Sequence, residues 1–136
     1  PAGLDRLGQH DVGTSIAIDV MLPAPSQGAV GIETLRGNAA MLALLATISD
    51  AETFDCVMAE RAVLKGLGGT CHSPIAALGQ LEGGKIRLAA EILSADGREC
   101  VSDRIAIDRG DTAAAETLGR SLLGRASAEL RALFEA

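Results

Sequence analysis

The sequence of 136 residues contains no tryptophan and no tyrosine, and its two aromatic residues are Phe54 and Phe134. Proteins that bind single-stranded nucleic acid stack bases on aromatic side chains and line the phosphate backbone with positive charge. This chain offers little of either, because its formal net charge is −6 and its basic residues form no patch. Nucleic-acid binding is therefore not expected. A core of aliphatic residues is possible, since 48% of the chain is hydrophobic.

Cysteine and long hydrophobic runs are also scarce. The three cysteines, Cys56, Cys71 and Cys100, are an odd number without a C-x-x-C pair, which suits a reducing compartment and gives no zinc-binding pattern. Cys71 and His72 are adjacent and would strain to share one metal ion. No apolar run reaches transmembrane length, and nothing resembles a signal peptide. We expect a cytoplasmic protein without a metal ion or a membrane partner.

The first third of the sequence reads as a remnant of domains that lie upstream. It begins without Met, and its first residues resemble the last turn of a helix. Residues 15–18 alternate like a short strand, Pro23 and Pro25 stiffen a crossing segment, and we expect residues 1–27 to be loosely held. Residues 28–35 read as a strand and residues 38–48 as a short helix. We assign residues 1–48 to this remnant.

Residues 49–136 carry consistent start and stop signals for one compact domain. Ser49 and Glu52 form a capping-box pattern at the start of a helix that runs to Gly66. Three strands are predicted at 75–80, 85–93 and 101–108, and the short turns between them favour an antiparallel meander. Asp111 is placed to cap one final helix. The pattern predicts an α+β fold, with a three-stranded antiparallel sheet and helices packed on one face.

A glycine-rich loop with one cysteine lies between the first long helix and the first strand of this domain. Residues 60–76 read ERAVLKGLGGTCHSPIA. A phosphate-binding loop would run from strand to helix, whereas this one runs from helix to strand. A lone cysteine is more often a small buried hydrophobe than a reactive group, but the loop position of Cys71 argues against that reading. A Cys-His hydrolase is a poor fit, because neighbours such as Cys71 and His72 seldom face each other.

Together with LPAPSQGAVGIE at residues 22–33, this loop resembles the C-terminal part of the porphobilinogen deaminase family, also called hydroxymethylbilane synthases. The two motifs have the order and separation seen in that family, and the likeness runs from about Ala2 to the end. It implies a transferase of tetrapyrrole (heme and porphyrin) biosynthesis that joins four porphobilinogen units into hydroxymethylbilane, with loss of ammonia at each step. It also implies that Cys71 carries a dipyrromethane cofactor through a thioether. Gly66, Gly68 and Gly69 would then allow unusual backbone angles and leave space for the pyrrole chain.

The resemblance assigns binding roles to four further residues. Arg6 matches a family arginine that binds carboxylates of the cofactor or substrate, and Gly3 offers a backbone contact nearby. Gln27 and Gly28 match the segment that passes the active-site cleft. The family's catalytic aspartate and most of its arginines lie upstream, so we expect no catalytic residue in this chain and no activity from it alone. The full-length protein is expected to be monomeric.

Three positions depart from the family pattern, and two other functions stay open. Thr70, Ser73 and Ser26 stand where the family commonly has other small or β-branched residues, which raises a question about loop flexibility rather than attachment. The alternatives are a non-catalytic interaction domain of the same fold and an unrelated cysteine-dependent enzyme. A free Cys71 thiol in protein made by cells would indicate the first, and rapid thiol labelling without a pyrrole adduct would indicate the second.

Overall fold

A computed structural model of the chain describes residues 2–70 and 72–134, the side chain of Ala2 excepted. Its helices are α1 (Ala2–Arg6), α2 (Ala39–Ala46), α3 (Ala51–Leu67), α4 (Thr112–Arg125) and α5 (Ala128–Ala132). Its strands are β1 (Ile75–Glu82), β2 (Lys85–Leu93) and β3 (Cys100–Asp108).

The three strands form one antiparallel sheet in the order β1-β2-β3, as predicted. Glu82 pairs with Lys85, so the turn between β1 and β2 consists of Gly83 and Gly84 alone. Both glycines have positive φ, at 59° and 80°, which is the backbone that a two-residue hairpin of matching twist requires. The predicted strand bounds hold to within two residues, because alternation and turn chemistry are both local signals.

The core lies between one face of this sheet and the two long helices α3 and α4. Ile86, Leu88 and Ile92 of β2 are almost fully buried on that face, whereas the alternate residues of β2 face away. Val63 of α3 and Leu122 of α4 pack against it and are fully buried. The predicted α+β architecture with helices on one face is confirmed.

Helix α3 begins one residue later than the capping-box pattern indicated. The N-cap is Asp50 rather than Ser49, and its Oδ1 accepts a hydrogen bond from the Thr53 N–H at 2.7 Å. A carboxylate at this position stabilises the orphan N–H groups and the positive end of the helix dipole together. The helix ends at Gly68, whose left-handed φ of 65° closes the last turn onto the carbonyls of Leu64 and Lys65.

The predicted single C-terminal helix is wrong, because the chain breaks into α4 and α5 at Ala126. Ser127 caps α5 by accepting from the Leu130 N–H at 3.1 Å. The Glu99 carboxylate receives hydrogen bonds from the Ser127 amide at 2.8 Å and the Ser127 hydroxyl at 2.6 Å. These bonds hold the break against the start of β3. Apolar residues are buried along both pieces and at the break between them, namely Leu118, Leu122, Ala126, Leu130 and Phe134.

The Ser127 hydroxyl and amide lower the pKa of Glu99 below its ordinary value. A carboxylate with a lowered folded pKa stabilises the fold above its unfolded pKa, about 4.3, and loses that contribution as the pH falls. We therefore expect acidification from pH 6 to pH 3.5 to destabilise the wild-type chain more than a Glu99→Gln variant. Urea unfolding midpoints at the two pH values measure the difference. An equal loss in both proteins would contradict this role of Glu99.

The N-terminal third differs most from prediction. The helix predicted at 38–48 is present as α2, capped by Asn38, but residues 28–35 and 15–18 form no strand. A strand needs a neighbour to satisfy its backbone groups, and the described sheet has none for these segments. The expectation that residues 1–27 are loosely held is wrong for 23–26. The Pro23 carbonyl accepts from the Ala77 N–H at 3.0 Å, and Ser26 is bonded to α3.

Candidate functional site

The loop between α3 and β1 is the centre of the candidate site, and Cys71 itself lies outside the described residues. On either side of it, the loop is held by its own side chains. The Thr70 N–H donates to Ser73 Oγ at 3.0 Å, the Ser73 N–H donates to the Thr70 carbonyl at 3.1 Å, and the His72 N–H donates to Thr70 Oγ1 at 3.3 Å. Thr70 and His72 are both exposed. Two of the positions that depart from the family pattern, Thr70 and Ser73, thus bond to each other.

The three glycines before the cysteine differ from one another in the purpose they serve. Gly66 faces the backbone of Glu116 in α4, and a Cβ there would overlap its carbonyl oxygen. A Cβ on Gly69 would lie 2.5 Å from Ile75 Cδ1, so this residue packs against the start of β1. The prediction that Gly66 leaves space for a pyrrole chain is wrong, since helix α4 fills that space. Gly68 does have the unusual backbone angle, as the left-handed end of α3.

Two turns before the loop, α3 carries a buried carboxylate. Glu60 is 6% exposed, its Oε2 accepts from the Ser26 N–H at 2.7 Å, and its Oε1 accepts from the Gly79 N–H at 2.8 Å. Burial raises the pKa of Glu60, and the two backbone N–H donors oppose that rise. The residue joins the crossing segment to β1 through α3.

Ser26 adopts φ of 64°, a left-handed conformation that costs a non-glycine residue about 1 kcal/mol. Two hydrogen bonds hold Ser26 in this conformation. Its N–H donates to Glu60 Oε2, and its hydroxyl accepts from Arg61 Nε at 3.2 Å. This is the third position that departs from the family pattern.

The four remaining predicted site residues lie in two places. Gln27 and Gly28 follow Ser26 and line an open cavity of about 560 Å³ with Glu60 and Gly79. The Gln27 side chain accepts from the Ala24 N–H at 3.1 Å, and Gly28 has φ of 82°. Gly3 and Arg6 are exposed in α1, and no hydrogen bond or ion pair among the described residues joins α1 to the cysteine loop. The structure therefore brings Gln27 and Gly28 to the domain but not Gly3 and Arg6.

Two family models match this chain. One is described as "Porphobilinogen deaminase, C-terminal domain" and matches residues 54–127, which is more than half of the chain. The other is described as "Porphobilinogen deaminase, dipyromethane cofactor binding domain" and matches residues 1–43. The chain belongs to the porphobilinogen deaminase family.

Curated relatives named porphobilinogen deaminase agree with this membership. The chain is 46% identical over 134 residues to that of Sphingopyxis alaskensis, covering 98% of the chain and 42% of the relative. It is 39% identical to that of Alkaliphilus metalliredigens and 43% identical to that of Paracoccus denitrificans, over 95% and 94% of the chain and 42% of each relative. The chain thus spans about two fifths of the length of these relatives.

The structure describes two of the three cysteines, and neither of them belongs to the loop. Cys56 is half-buried in α3, where burial and the nearby Glu60 carboxylate raise the pKa of its thiol. Cys100 begins β3, and partial burial and Glu91 raise the pKa of its thiol. A raised pKa leaves less thiolate, which is the nucleophilic form. These environments favour a structural role for both cysteines.

We predict that Cys56→Ala and Cys100→Ala variants keep the activity per folded molecule of the full-length protein. The Cys56 change removes the sulfur of a half-buried side chain that packs against the core and should cost about 1–3 kcal/mol, and the change at the exposed Cys100 should cost less. Urea unfolding measures the free energy of unfolding, and mass spectrometry of the folded protein shows whether the cofactor is attached. Loss of cofactor from either folded variant would contradict a purely structural role.

The described part of the chain offers few rival sites. Within residues 2–70 and 72–134, no cluster of three or more histidine, cysteine, aspartate or glutamate side chains is arranged to hold a metal ion. None of the helices described there has the length and apolar character needed to cross a bilayer.

Proposed function

We propose that this chain is part of a transferase that assembles four porphobilinogen units into hydroxymethylbilane on a dipyrromethane held by Cys71. The observation that carries the proposal is the position of the cysteine loop within the porphobilinogen deaminase match, between α3 and β1 of the domain. The second family model, named for the dipyromethane cofactor, supports the same function at residues 1–43.

The loop suits a bulky attached group. Both chain neighbours of Cys71 are exposed, and two hydrogen bonds between Thr70 and Ser73 tie the two sides of the loop together. Cysteine is the appropriate residue type, because a soft thiolate adds readily to an electrophilic pyrrole methylene and the resulting thioether is stable. When bound, the dipyrromethane supplies the free pyrrole end that porphobilinogen extends.

The substrate's carboxylates explain the roles proposed for the other residues. Each porphobilinogen carries an acetate and a propionate, which arginine forks hold best. We propose that Arg6 binds such a carboxylate, that Gly3 offers a backbone contact beside it, and that Gln27 and Gly28 line the path of the growing chain. None of these residues supplies the acid-base chemistry. We place that chemistry in the part of the relatives' length that this chain does not span.

The division of the chain follows the same proposal. Residues 49–136 form the domain that bears the attachment loop, and residues 1–48 belong with the substrate-binding domains and the crossing segment. We further propose that the full-length protein is monomeric and cytoplasmic. The odd number of cysteines without a C-x-x-C pair supports a reducing compartment.

We predict that the 136-residue chain alone does not consume porphobilinogen. Its net charge is −6, and we assign only one of its arginines to carboxylate binding. The chain alone therefore lacks the residues that cofactor assembly and chain extension require. Substrate consumption is followed colorimetrically with an acidic aldehyde reagent, with a full-length protein containing this sequence as the positive control. Turnover by the chain alone above the buffer rate would contradict this prediction. The full-length control also separates the alternatives, because an interaction domain or another cysteine enzyme would leave porphobilinogen unchanged.

A further inference from the structure

Glu60 is an ionisable residue in the interior of the domain. No ion pair among the described residues includes it, although it is 6% exposed. Burying a carboxylate is costly unless hydrogen bonds replace its water. Here both oxygens receive backbone N–H groups, and the two donors come from residues 26 and 79, far apart in sequence.

Among the described residues, the Ser26 N–H bond is one of three that fasten the crossing segment to the rest of the domain. The others are the Arg61 Nε bond to Ser26 Oγ and the Ala77 N–H bond to the Pro23 carbonyl. The Glu60 bond is the shortest of the three at 2.7 Å and is partly buried, whereas the Arg61 bond is exposed. It also fixes the residue whose left-handed φ directs the chain into Gln27 and Gly28.

The same glutamate lies on the helix that leads into the cysteine loop. Seven residues, or about two helical turns, separate Glu60 from Leu67 at the end of α3. Through Gly79 the carboxylate also holds β1, the strand that leaves the loop. One side chain therefore connects the segment before Gln27 to both elements that flank the loop.

We propose that Glu60 is a positioning residue, a carboxylate clasp that sets Gln27 and Gly28 in place relative to the loop of Cys71. The proposal rests on the proposed function, because it gives Gln27 and Gly28 their contact with the pyrrole chain. The clasp requires two acceptors on one side chain. Glutamine offers one acceptor and turns its NH₂ group toward the second N–H donor, and aspartate is shorter by one methylene.

The test compares Glu60→Gln with Glu99→Gln in a full-length protein containing this sequence. Glu99 is the matched control, since its carboxylate also accepts two hydrogen bonds but holds the α4–α5 break instead of the crossing segment. Hydrogen exchange followed by mass spectrometry reports on the peptide that contains residues 23–28. Steady-state kinetics with porphobilinogen give kcat and KM, and intact mass confirms that the cofactor is retained.

For Glu60→Gln we expect exchange in residues 23–28 to rise about tenfold, the effect of losing one hydrogen bond to a charged group. KM for porphobilinogen should rise more than kcat falls, and the cofactor should remain attached. Glu99→Gln should leave both the exchange of residues 23–28 and KM unchanged. Arg61→Ala, which removes an exposed second tie, should raise the exchange to a smaller degree and is the test variant if Glu60→Gln does not fold.

Unchanged exchange in the folded Glu60→Gln protein, or in Arg61→Ala when that variant replaces it, would overturn the clasp. Faster exchange with unchanged KM would overturn its positioning role. If the wild-type protein did not consume porphobilinogen, the proposed function would fall and the positioning role with it. The exchange result would still decide whether Glu60 holds the segment.

Discussion

A full-length protein in which Cys71 is replaced by serine is expected to carry no dipyrromethane and to form no hydroxymethylbilane. The serine hydroxyl is a far weaker nucleophile than a thiolate at neutral pH, so the covalent bond to the pyrrole methylene does not form. Without the attached pyrrole, porphobilinogen has no chain end to extend. The colour reaction of pyrroles with an acidic aldehyde measures the cofactor, and product formation measures the activity.

The control for this loss is Cys100→Ser, which makes the same chemical change at an exposed position that begins β3. It should retain cofactor and activity. Cys100→Ser should unfold at the same urea concentration as the wild type, because Cys100 is exposed and lies outside the apolar core. A Cys71→Ser protein that made product at the wild-type rate would show that the attachment point is elsewhere.

A Gly119→Ala variant is expected to lose at least about 3 kcal/mol of unfolding free energy, the upper end of the cost of overpacking a core. Gly119 is buried where α4 crosses α3, and a Cβ there would overlap the carbonyl oxygen of Val63. Backbone atoms cannot move aside as a flexible side chain can. The helices must therefore separate, which opens the core around Leu118 and Leu122.

Gly124→Ala is the matched control in the same helix. A Cβ on Gly124 meets no atom within 4 Å, so the helix propensity of alanine should stabilise this variant by roughly 0.5–1 kcal/mol. Urea unfolding of the two variants measures effects of opposite sign. If Gly119→Ala were as stable as the wild type, the close contact between α3 and α4 would be wrong.

The sheet and its flanking helices could be predicted from the sequence because their signals are local. The strand predicted at 85–93 has the bounds of β2, and Asp111 was correctly predicted to cap α4, where its Oδ1 accepts from the Ala114 N–H at 3.0 Å. The break between α4 and α5 was missed because it depends on Glu99, which lies 28 residues before Ser127. The helical periodicity of the sequence continues through the break and therefore does not reveal it.

The candidate site was predicted through its motif, and the residues that support it were not. Glu60 resembles an ordinary surface residue of a helix, and both of its partners are backbone N–H groups that leave no mark in the sequence. One signal was available. Glu60 stands at helical spacing from Val63 and Leu67, on the face of α3 that is buried. The role of Gly66 was misread for a similar reason, since α4 approaches it from 50 residues further along the chain.

The measurement that tests the central claim most directly is the mass of the peptide containing Cys71. The peptide is taken from full-length protein purified from cells and digested under conditions that leave pyrroles intact. The account predicts that this peptide carries the added mass of two linked pyrrole units and that the peptides containing Cys56 and Cys100 carry none. An unmodified Cys71 peptide from a protein that converts porphobilinogen, or an adduct found on either of the other two cysteines, would contradict it.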